Sequence, residues 1–176
     1  DLKPIEGTVQ IDGFAETEIA YLPQQSEIDR SFPISVVDLV AMGLWQEIGA
    51  FGWLSRAMRG RGDAAIAAGC LTGFEKRSIG ALPGGQMQRA VCARLLLQDA
   101  RLVLLDEPFT AIDAKTLADL IDVIKSWHAE GRTVLAVLHD YEVVGTHFPD
   151  TLMLARELVA HGPTHKVLTA ENQFRA

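Results

Sequence analysis

The strongest chemical signal in the sequence is a pair of acidic residues, Asp106 and Glu107, directly after the apolar run 102–105. Such a run is typical of a strand buried on both faces of a parallel sheet. Ligands of open α/β sheets bind at the carboxyl ends of strands, which is where both acids lie. In an extended chain the two side chains point to opposite sides, so one could hold a metal ion while the other addresses a water. The alternative is a solvated pair at a helix start, where the helix dipole favours negative charge.

A second signal is the pair Gly84 and Gly85, which follows Pro83 and begins a predicted helix. Glycines at a helix start let an anion approach the backbone N–H groups closely, because no Cβ stands in the way. Taken alone, the same pair is equally typical of a plain turn. The sequence around these glycines therefore predicts an anion-binding surface only in combination with other motifs.

Two further polar side chains follow predicted strands. His139 comes directly after the apolar run 133–138, where its imidazole could reach a phosphate oxygen. Gln24 follows the short run 19–22 and Pro23. A single histidine at a strand end is more often structural, and Gln24 alone indicates almost nothing.

These residues lie among alternating strands and helices. We predict strands at 8–11, 19–22, 102–105, 133–138 and 151–154, and helices at 35–44, 63–71, 84–99, 114–130 and 140–148. On the helix at 114–130 one apolar face is formed by Leu117, Leu120, Ile121, Ile124 and Trp127, with Gly131 as C-terminal cap. Alternating strands and helices are the signature of an α/β fold with a parallel sheet.

Composition narrows the function classes. The 176 residues are 48% hydrophobic, which disfavours disorder, and the net charge of −7 argues against bulk electrostatic binding of nucleic acid. A local basic run (Arg56, Arg59 and Arg61) is best explained as a solvated face, with a lipid or nucleic-acid patch as the alternative. No stretch of about 18 apolar residues occurs, so no segment is predicted to span a bilayer.

Together, and in this order, the motifs resemble the nucleotide-binding subunit of ATP-binding cassette (ABC) transporters over essentially all 176 residues. The matching segments are Pro23-Gln24 (Q-loop), Leu82 to Gln86 (signature LSGGQ), Leu102 to Glu107 (Walker B), Ala111-Ile112-Asp113 (D-loop) and His139 (switch histidine), and the opening Leu2 to Gly7 also looks similar. The resemblance implies an α/β fold: a three-layer RecA-like core with a parallel sheet and an inserted, mostly helical subdomain.

The resemblance also implies a division of the chain. Residues 1–25 would be a remnant of the N-terminal β part with the Q-loop, and residues 26–95 the helical signature subdomain. Residues 96–176 would form half of the RecA-like core, with Walker B, the D-loop and the switch histidine.

The resemblance further assigns roles around ATP and Mg²⁺, which two such subunits would sandwich head to tail. Asp106 would position Mg²⁺ together with Gln24, which would also sense the phosphate and the membrane partner. Glu107 would be the general base on the attacking water, and His139 would contact the γ-phosphate.

The remaining assigned residues face the second subunit. Asp113 would bridge the two subunits, while the signature residues Pro83, Gly84, Gly85 and Gln86 would lie against the ATP held by the partner. These roles come from the resemblance and not from the spacing of the residues.

Two departures from the family pattern stand out. No GxxxxGK[ST] phosphate cradle (Walker A) occurs in the chain, and Pro83 replaces the signature serine, removing both a hydroxyl and a backbone N–H. We therefore expect an N-terminally truncated piece that lacks the first strands and the Walker A helix and does not bind ATP usefully alone. We also expect an exposed apolar edge near residues 102–105 and 134–138, which would favour self-association.

Within the family, residues 19–23, 32–43, 109–113 and 162–172 are most similar to importers of zinc, manganese or iron chelates. The implied partners are a second ATP-binding subunit, a membrane permease subunit and, indirectly, a periplasmic or lipoprotein metal-binding protein. The implied location is the cytoplasmic face of the membrane, with no nucleic acid bound. Two alternatives stay open: a non-hydrolysing interaction module, and a soluble ABC ATPase acting on nucleic acid or ribosomes.

Overall fold

The computed structural model describes residues 6–8, 10–24, 29–49, 52–110 and 112–176. The strands are β1 (Ile19–Leu22), β2 (Leu102–Asp106), β3 (Thr133–Val137), β4 (Asp150–Ala155) and β5 (Glu157–Pro163). The helices are α1 (Val36–Ala41), α2 (Trp45–Ile48), α3 (Arg56–Ala68), α4 (Gly84–Gln98), α5 (Ala114–Ala129), α6 (Tyr141–His147), α7 (Thr164–Val167) and α8 (Ala170–Arg175). The chain divides into two compact units, Asp1–Ala136 and Val137–Ala176.

The strands β1, β2 and β3 form a sheet in that order. The predicted acidic pair lies at the carboxyl end of the central strand, β2. β1 and β2 are parallel, with Ile19 opposite Leu102 and Leu22 opposite Leu105. Leu102, Val103 and Leu105 are buried, as expected for a strand covered on both faces. The predicted α/β fold with parallel pairing is confirmed.

Helix α4 is the centre of the first unit's core. Eight of its residues are buried: Met87, Gln88, Ala90, Val91, Cys92, Ala93, Leu95 and Leu97. Near its C-terminal end Arg94 Nη2 donates to the Tyr21 carbonyl (3.1 Å), and Gln98 Nε2 donates to the Ile19 carbonyl (3.2 Å). These bonds satisfy carbonyl groups of β1, so α4 is fixed to the strand that leads to Gln24.

The predicted amphipathic face of α5 is confirmed. Leu120, Ile121 and Trp127 are buried, and Gly131 takes a positive φ of 83° just after the helix. The Gly131 N–H donates to the His128 carbonyl at 3.0 Å, which closes the last turn.

Three predictions about strands are wrong. Thr8, Gln10 and Ile11 are not in a strand, and Ile11 is half exposed; Val9 lies outside the described residues. β3 was expected to be buried on both faces, but Thr133, Leu135 and Val137 are exposed along one side, since among the described residues only the other face of the strand is covered.

The third wrong prediction concerns the strand at 151–154, which was expected to follow the parallel pattern. It belongs to β4, which pairs antiparallel with β5 in a separate two-stranded sheet. The connection is tight: Ala155 pairs with Glu157 across Arg156, whose φ is +61°. A turn this short joins antiparallel neighbours, whereas a parallel pair needs a long crossover.

The exposed side of β3 generates a prediction. Leu135 is 58% exposed on a strand that ends the described sheet, and an apolar strand edge is a template for pairing with another chain. We expect the 176-residue chain to self-associate in light scattering, and Leu135→Lys to increase the monomer fraction.

Ala129→Lys is the matched control, because it adds the same charge at an exposed position on α5. It should leave self-association unchanged. A wild-type monomer that unfolds cooperatively would contradict this prediction.

Candidate functional site

The turn after β2 holds the two acids in an unusual backbone conformation. Asp106 is the last residue of β2, and Glu107 adopts a φ of +46°, a left-handed conformation that non-glycine residues rarely take. Thr110 fixes the turn, since its hydroxyl donates to Glu107 Oε2 (3.1 Å) and its N–H to the Glu107 carbonyl (3.3 Å). Strained residues of this kind cluster at functional sites, so the conformation itself points to a role for Glu107.

This conformation corrects one step of the sequence argument. The expectation that Asp106 and Glu107 point to opposite sides assumed an extended chain, and the chain stops being extended at Glu107. The left-handed residue, and not strand alternation, sets where the Glu107 carboxylate lies.

Asp106 has a neighbour that the sequence did not reveal. The Tyr21 hydroxyl donates to Asp106 Oδ2 at 3.4 Å, from the adjacent strand β1. Gln24 follows β1 two residues after its end, so in a parallel pair it belongs to the same carboxyl edge as Asp106. The alternation of side chains along paired strands could have predicted this contact. Tyr21 is opposite Leu104, and Asp106, two residues after Leu104, lies on the same face of the sheet.

The signature segment begins α4. Pro83 is the N-cap with φ −55° and ψ 155°, and its side chain makes no capping hydrogen bond. The Met87 N–H donates to the Pro83 carbonyl at 3.0 Å. The Arg30 guanidinium donates to the carbonyl of Leu82, just before the cap. Gln86 Oε1 is buried and has no hydrogen-bond partner among the residues that the structure describes. The predicted helix start is confirmed, and proline is compatible with it.

Gly85 lies beside the start of α5. A Cβ at residue 85 would be 3.6 Å from Thr116 Oγ1 and 3.7 Å from Asp113 Oδ2, which is ordinary van der Waals contact. Within one chain, then, the structure brings the signature glycine together with the predicted D-loop aspartate. Ala111, the first residue of that loop, lies outside the described residues, as do residues 2–5 of the opening segment.

Asp113 is the N-cap of α5. Its Oδ1 accepts from the Thr116 N–H (2.9 Å), and its Oδ2 accepts from the Thr116 hydroxyl (2.7 Å). The side-chain and then the backbone bond from Thr116 lower the pKa of the Asp113 carboxyl below its ordinary value. Because the folded pKa is lowered, the cap stabilises the protein above the ordinary carboxyl pKa and loses that effect as pH falls through the folded pKa.

His139 lies in the second unit, between β3 and α6, and is exposed. The next residue, Asp140, caps α6 by accepting from the N–H groups of Glu142 (2.9 Å) and Val143 (3.1 Å). The predicted contact between His139 and a phosphate stays a prediction.

The donor set fits a nucleotide-bound Mg²⁺ better than a metal ion held by protein alone. Among the described residues no group of three or more His, Cys, Asp or Glu side chains could enclose a metal ion. Mg²⁺ commonly binds through one or two carboxylates and the oxygens of a phosphate substrate, and Asp106 at the sheet edge offers that type of ligand. The residues present therefore fit two ligands: Mg²⁺ at Asp106, and an anion at the glycine pair that begins α4.

Comparison with known proteins decides the family. A family model described as ABC transporter matches residues 1–110. The chain belongs to the ABC transporter family. It is 40% identical over 154 residues to the manganese transport system ATP-binding protein MntB of Listeria monocytogenes, covering 88% of this chain and 64% of that protein. It is 37% identical to the zinc transport system ATP-binding protein TroB of Treponema pallidum, covering 90% and 59%.

A solved structure agrees with the sequence relatives. The fold matches, with a TM-score of 0.83 and 28% identity, a structure described as an inward-facing conformation of a metal-chelate type ABC transporter, covering 98% of this chain and 66% of that one. The resemblance to an ABC ATP-binding subunit of the metal importer subfamily, and its α/β fold, are thus confirmed.

The chain spans 64% of the length of the Listeria relative and 59% of the Treponema relative. No helix in the described part of this ABC family member combines the length and hydropathy needed to cross a membrane.

Two glycines test whether packing or function requires a glycine. At Gly43 a Cβ would lie 2.3 Å from the Arg94 carbonyl oxygen, whereas at Gly85 it would meet only ordinary contacts. In urea denaturation we expect Gly43→Ala to destabilise the chain by about 1–3 kcal/mol through overpacking. Gly85→Ala should be neutral or stabilising by up to about 1 kcal/mol, because alanine favours a helix.

If Gly85→Ala were as destabilising as Gly43→Ala, packing would explain both glycines. If only Gly43→Ala is destabilising, packing within the chain does not require a glycine at residue 85. The requirement would then come from a ligand or a partner that approaches this residue.

Proposed function

We propose that this chain is part of an ATP-binding subunit that couples ATP hydrolysis to import of a divalent metal ion, manganese or zinc, or of a metal chelate. Two subunits would pair head to tail around two ATP molecules, against a permease at the cytoplasmic face of the membrane. A periplasmic or lipoprotein metal-binding protein would deliver the cargo. The observation that carries the proposal is the strained turn that holds Glu107 directly after Asp106 at the end of a buried parallel strand.

The proposed chemistry at that turn follows from the groups present. Asp106, oriented by Tyr21, would hold the Mg²⁺ that accompanies ATP, and Gln24 would complete the ligand set from the same sheet edge. Held there, Mg²⁺ would supply positive charge that offsets the negative charge of the phosphates. Glu107 would accept a proton from the attacking water, for which a carboxylate fixed by Thr110 is suited.

The signature segment would serve the nucleotide of the other subunit. N–H groups in the first turn of a helix lack partners within the helix and bind anions well, and α4 is 15 residues long. Gly84 and Gly85 let a phosphate approach these groups, with Gln86 and Pro83 beside them. Asp113 would bridge to the partner, and His139 would contact the γ-phosphate.

The cargo is proposed from the relatives, two of which are named as manganese and zinc transport proteins. The described residues offer no cluster of three metal-binding side chains for a transported ion. By resemblance to the family, cargo selection would belong to the permease and the binding protein.

One observation favours a second candidate, a non-hydrolysing interaction module. Pro83 stands where the family has serine, and it offers neither a hydroxyl nor an N–H to a phosphate. We expect Pro83→Ser, in a subunit extended upstream with a phosphate cradle, to raise the ATPase rate. An unchanged rate in an active enzyme would mean that the glycine amides suffice, and inactivity of both forms would favour the interaction module.

Calorimetry tests whether this chain alone binds nucleotide. No GxxxxGK[ST] cradle occurs among the 176 residues, and each charge-assisted hydrogen bond of such a cradle contributes roughly 1.5–3 kcal/mol. Without four such bonds the binding free energy becomes less favourable by about 6 kcal/mol or more, which lowers the affinity on the order of 10⁴-fold. We expect Mg²⁺-ATP to bind only the extended version; micromolar binding by the 176-residue chain would contradict the proposal.

A further inference from the structure

A largely buried arginine connects the two segments that would face the second subunit. Arg89 is on α4, one turn after the signature glycines, and its side chain is only 12% exposed. Its Nη2 and Nε lie 2.9 and 3.3 Å from the Thr116 hydroxyl oxygen, to which they donate. The same Nη2 forms an ion pair with Asp119 Oδ2 at 2.8 Å, on the next turn of α5.

The Thr116 hydroxyl is the centre of this network. The residue is 2% exposed, and its oxygen accepts from Arg89 while its proton goes to Asp113 Oδ2 at 2.7 Å. A hydroxyl can do both at once, since it has one donor and two acceptor lone pairs. The hydrogen-bond chain therefore runs from α4, through Thr116, to the carboxylate that lies against Gly85.

We propose that Arg89 is a positioning residue: through the Thr116 hydroxyl it holds the Asp113 carboxylate against Gly85, so that signature segment and D-loop form one preassembled surface. The inference rests on the proposed function for what that surface binds, namely the partner subunit and its nucleotide. Asp119 completes the arrangement by pairing the remaining charge of the buried guanidinium.

The energetics of the Arg89–Asp119 pair favour a role in positioning and not in stability. A partly buried arginine–carboxylate pair is often no more stabilising than apolar residues of similar volume. The hydrogen bonds from Arg89 to Thr116 are directional, so they fix the register of α4 against α5. Thr116 in turn orients the Asp113 carboxylate, because it donates to both of its oxygens. Preorganised donors and charges add to catalysis because they need not reorganise during the reaction.

The first test uses matched variants of this chain without nucleotide. Thr116→Val removes the hydroxyl at nearly constant volume, and Thr116→Ser restores it. Arg89→Lys keeps the charge but replaces the planar guanidinium, whose Nη2 and Nε both reach Thr116, by a single ammonium group. The control is Arg61→Gln, which removes an ion pair with Glu47 and a bond to the Leu97 carbonyl at the other end of α4.

Amide hydrogen exchange is the readout, at Met87, Thr116 and Leu117, whose N–H groups bond to Pro83 and Asp113. Relative to the buried Leu95 in the same helix, we expect exchange about tenfold faster in Thr116→Val and Arg89→Lys, as for loss of one charge-assisted bond. Thr116→Ser and Arg61→Gln should match the wild type. Unchanged local exchange, or an equal increase at Leu95, would overturn the proposal.

A carboxyl titration by NMR gives an independent readout. Thr116→Val should raise the pKa of Asp113, since the hydroxyl bond is the largest cause of its lowering, and Thr116→Ser should not. An Asp113 pKa that is the same in the wild type and in Thr116→Val would count against the network.

The last arm measures steady-state ATPase in an upstream-extended subunit. Arg89→Lys should lower kcat about tenfold with a much smaller change in KM, and Arg61→Gln should change neither. Unchanged kcat would refute the positioning role. The exchange arm contains no nucleotide, so it decides the network even where the proposed ATPase function fails.

Discussion

The attachment of α4 at both ends is the constraint on which the rest of the first unit depends. At its C-terminal end Arg94 and Gln98 donate to carbonyls of β1, and at its N-terminal end Arg89 donates to Thr116 of α5. Between these ends the helix buries eight residues. One rigid helix thus connects the signature glycines to the strand that precedes Gln24.

The carboxyl edge of the sheet, where Asp106 and Glu107 lie, depends on a strained turn. β2 is held by parallel pairing with β1, and the chain then leaves the strand through a left-handed residue, Glu107. Pro108 is buried directly after it, and Thr110 bonds back to Glu107 from both its hydroxyl and its amide. The paired strand and the bonded turn together restrict where both carboxylates lie.

Sequence reasoning predicted the elements that have strong periodicity or clear caps. The buried run of β2, the apolar face of α5 and the start of α4 were found, because burial on both faces, a 3.6-residue period and adjacent glycines are local signals. β3 and β4 were found as strands but misjudged in burial and pairing, because those properties depend on which neighbours a strand has in space. The Tyr21–Asp106 and Arg89–Thr116 contacts were missed for the same reason, since their partners are 85 and 27 residues apart.

In the proposed function, the signature surface of one subunit would close over the nucleotide of another. Sedimentation of an upstream-extended subunit carrying Glu107→Gln tests it most directly, because removing the proposed general base should leave ATP bound and unhydrolysed. We expect the mass to double with Mg²⁺-ATP and to stay unchanged with Mg²⁺-ADP. The effect of ATP should be lost when Gly85→Arg fills the signature surface. A subunit that binds Mg²⁺-ATP and stays monomeric would contradict it.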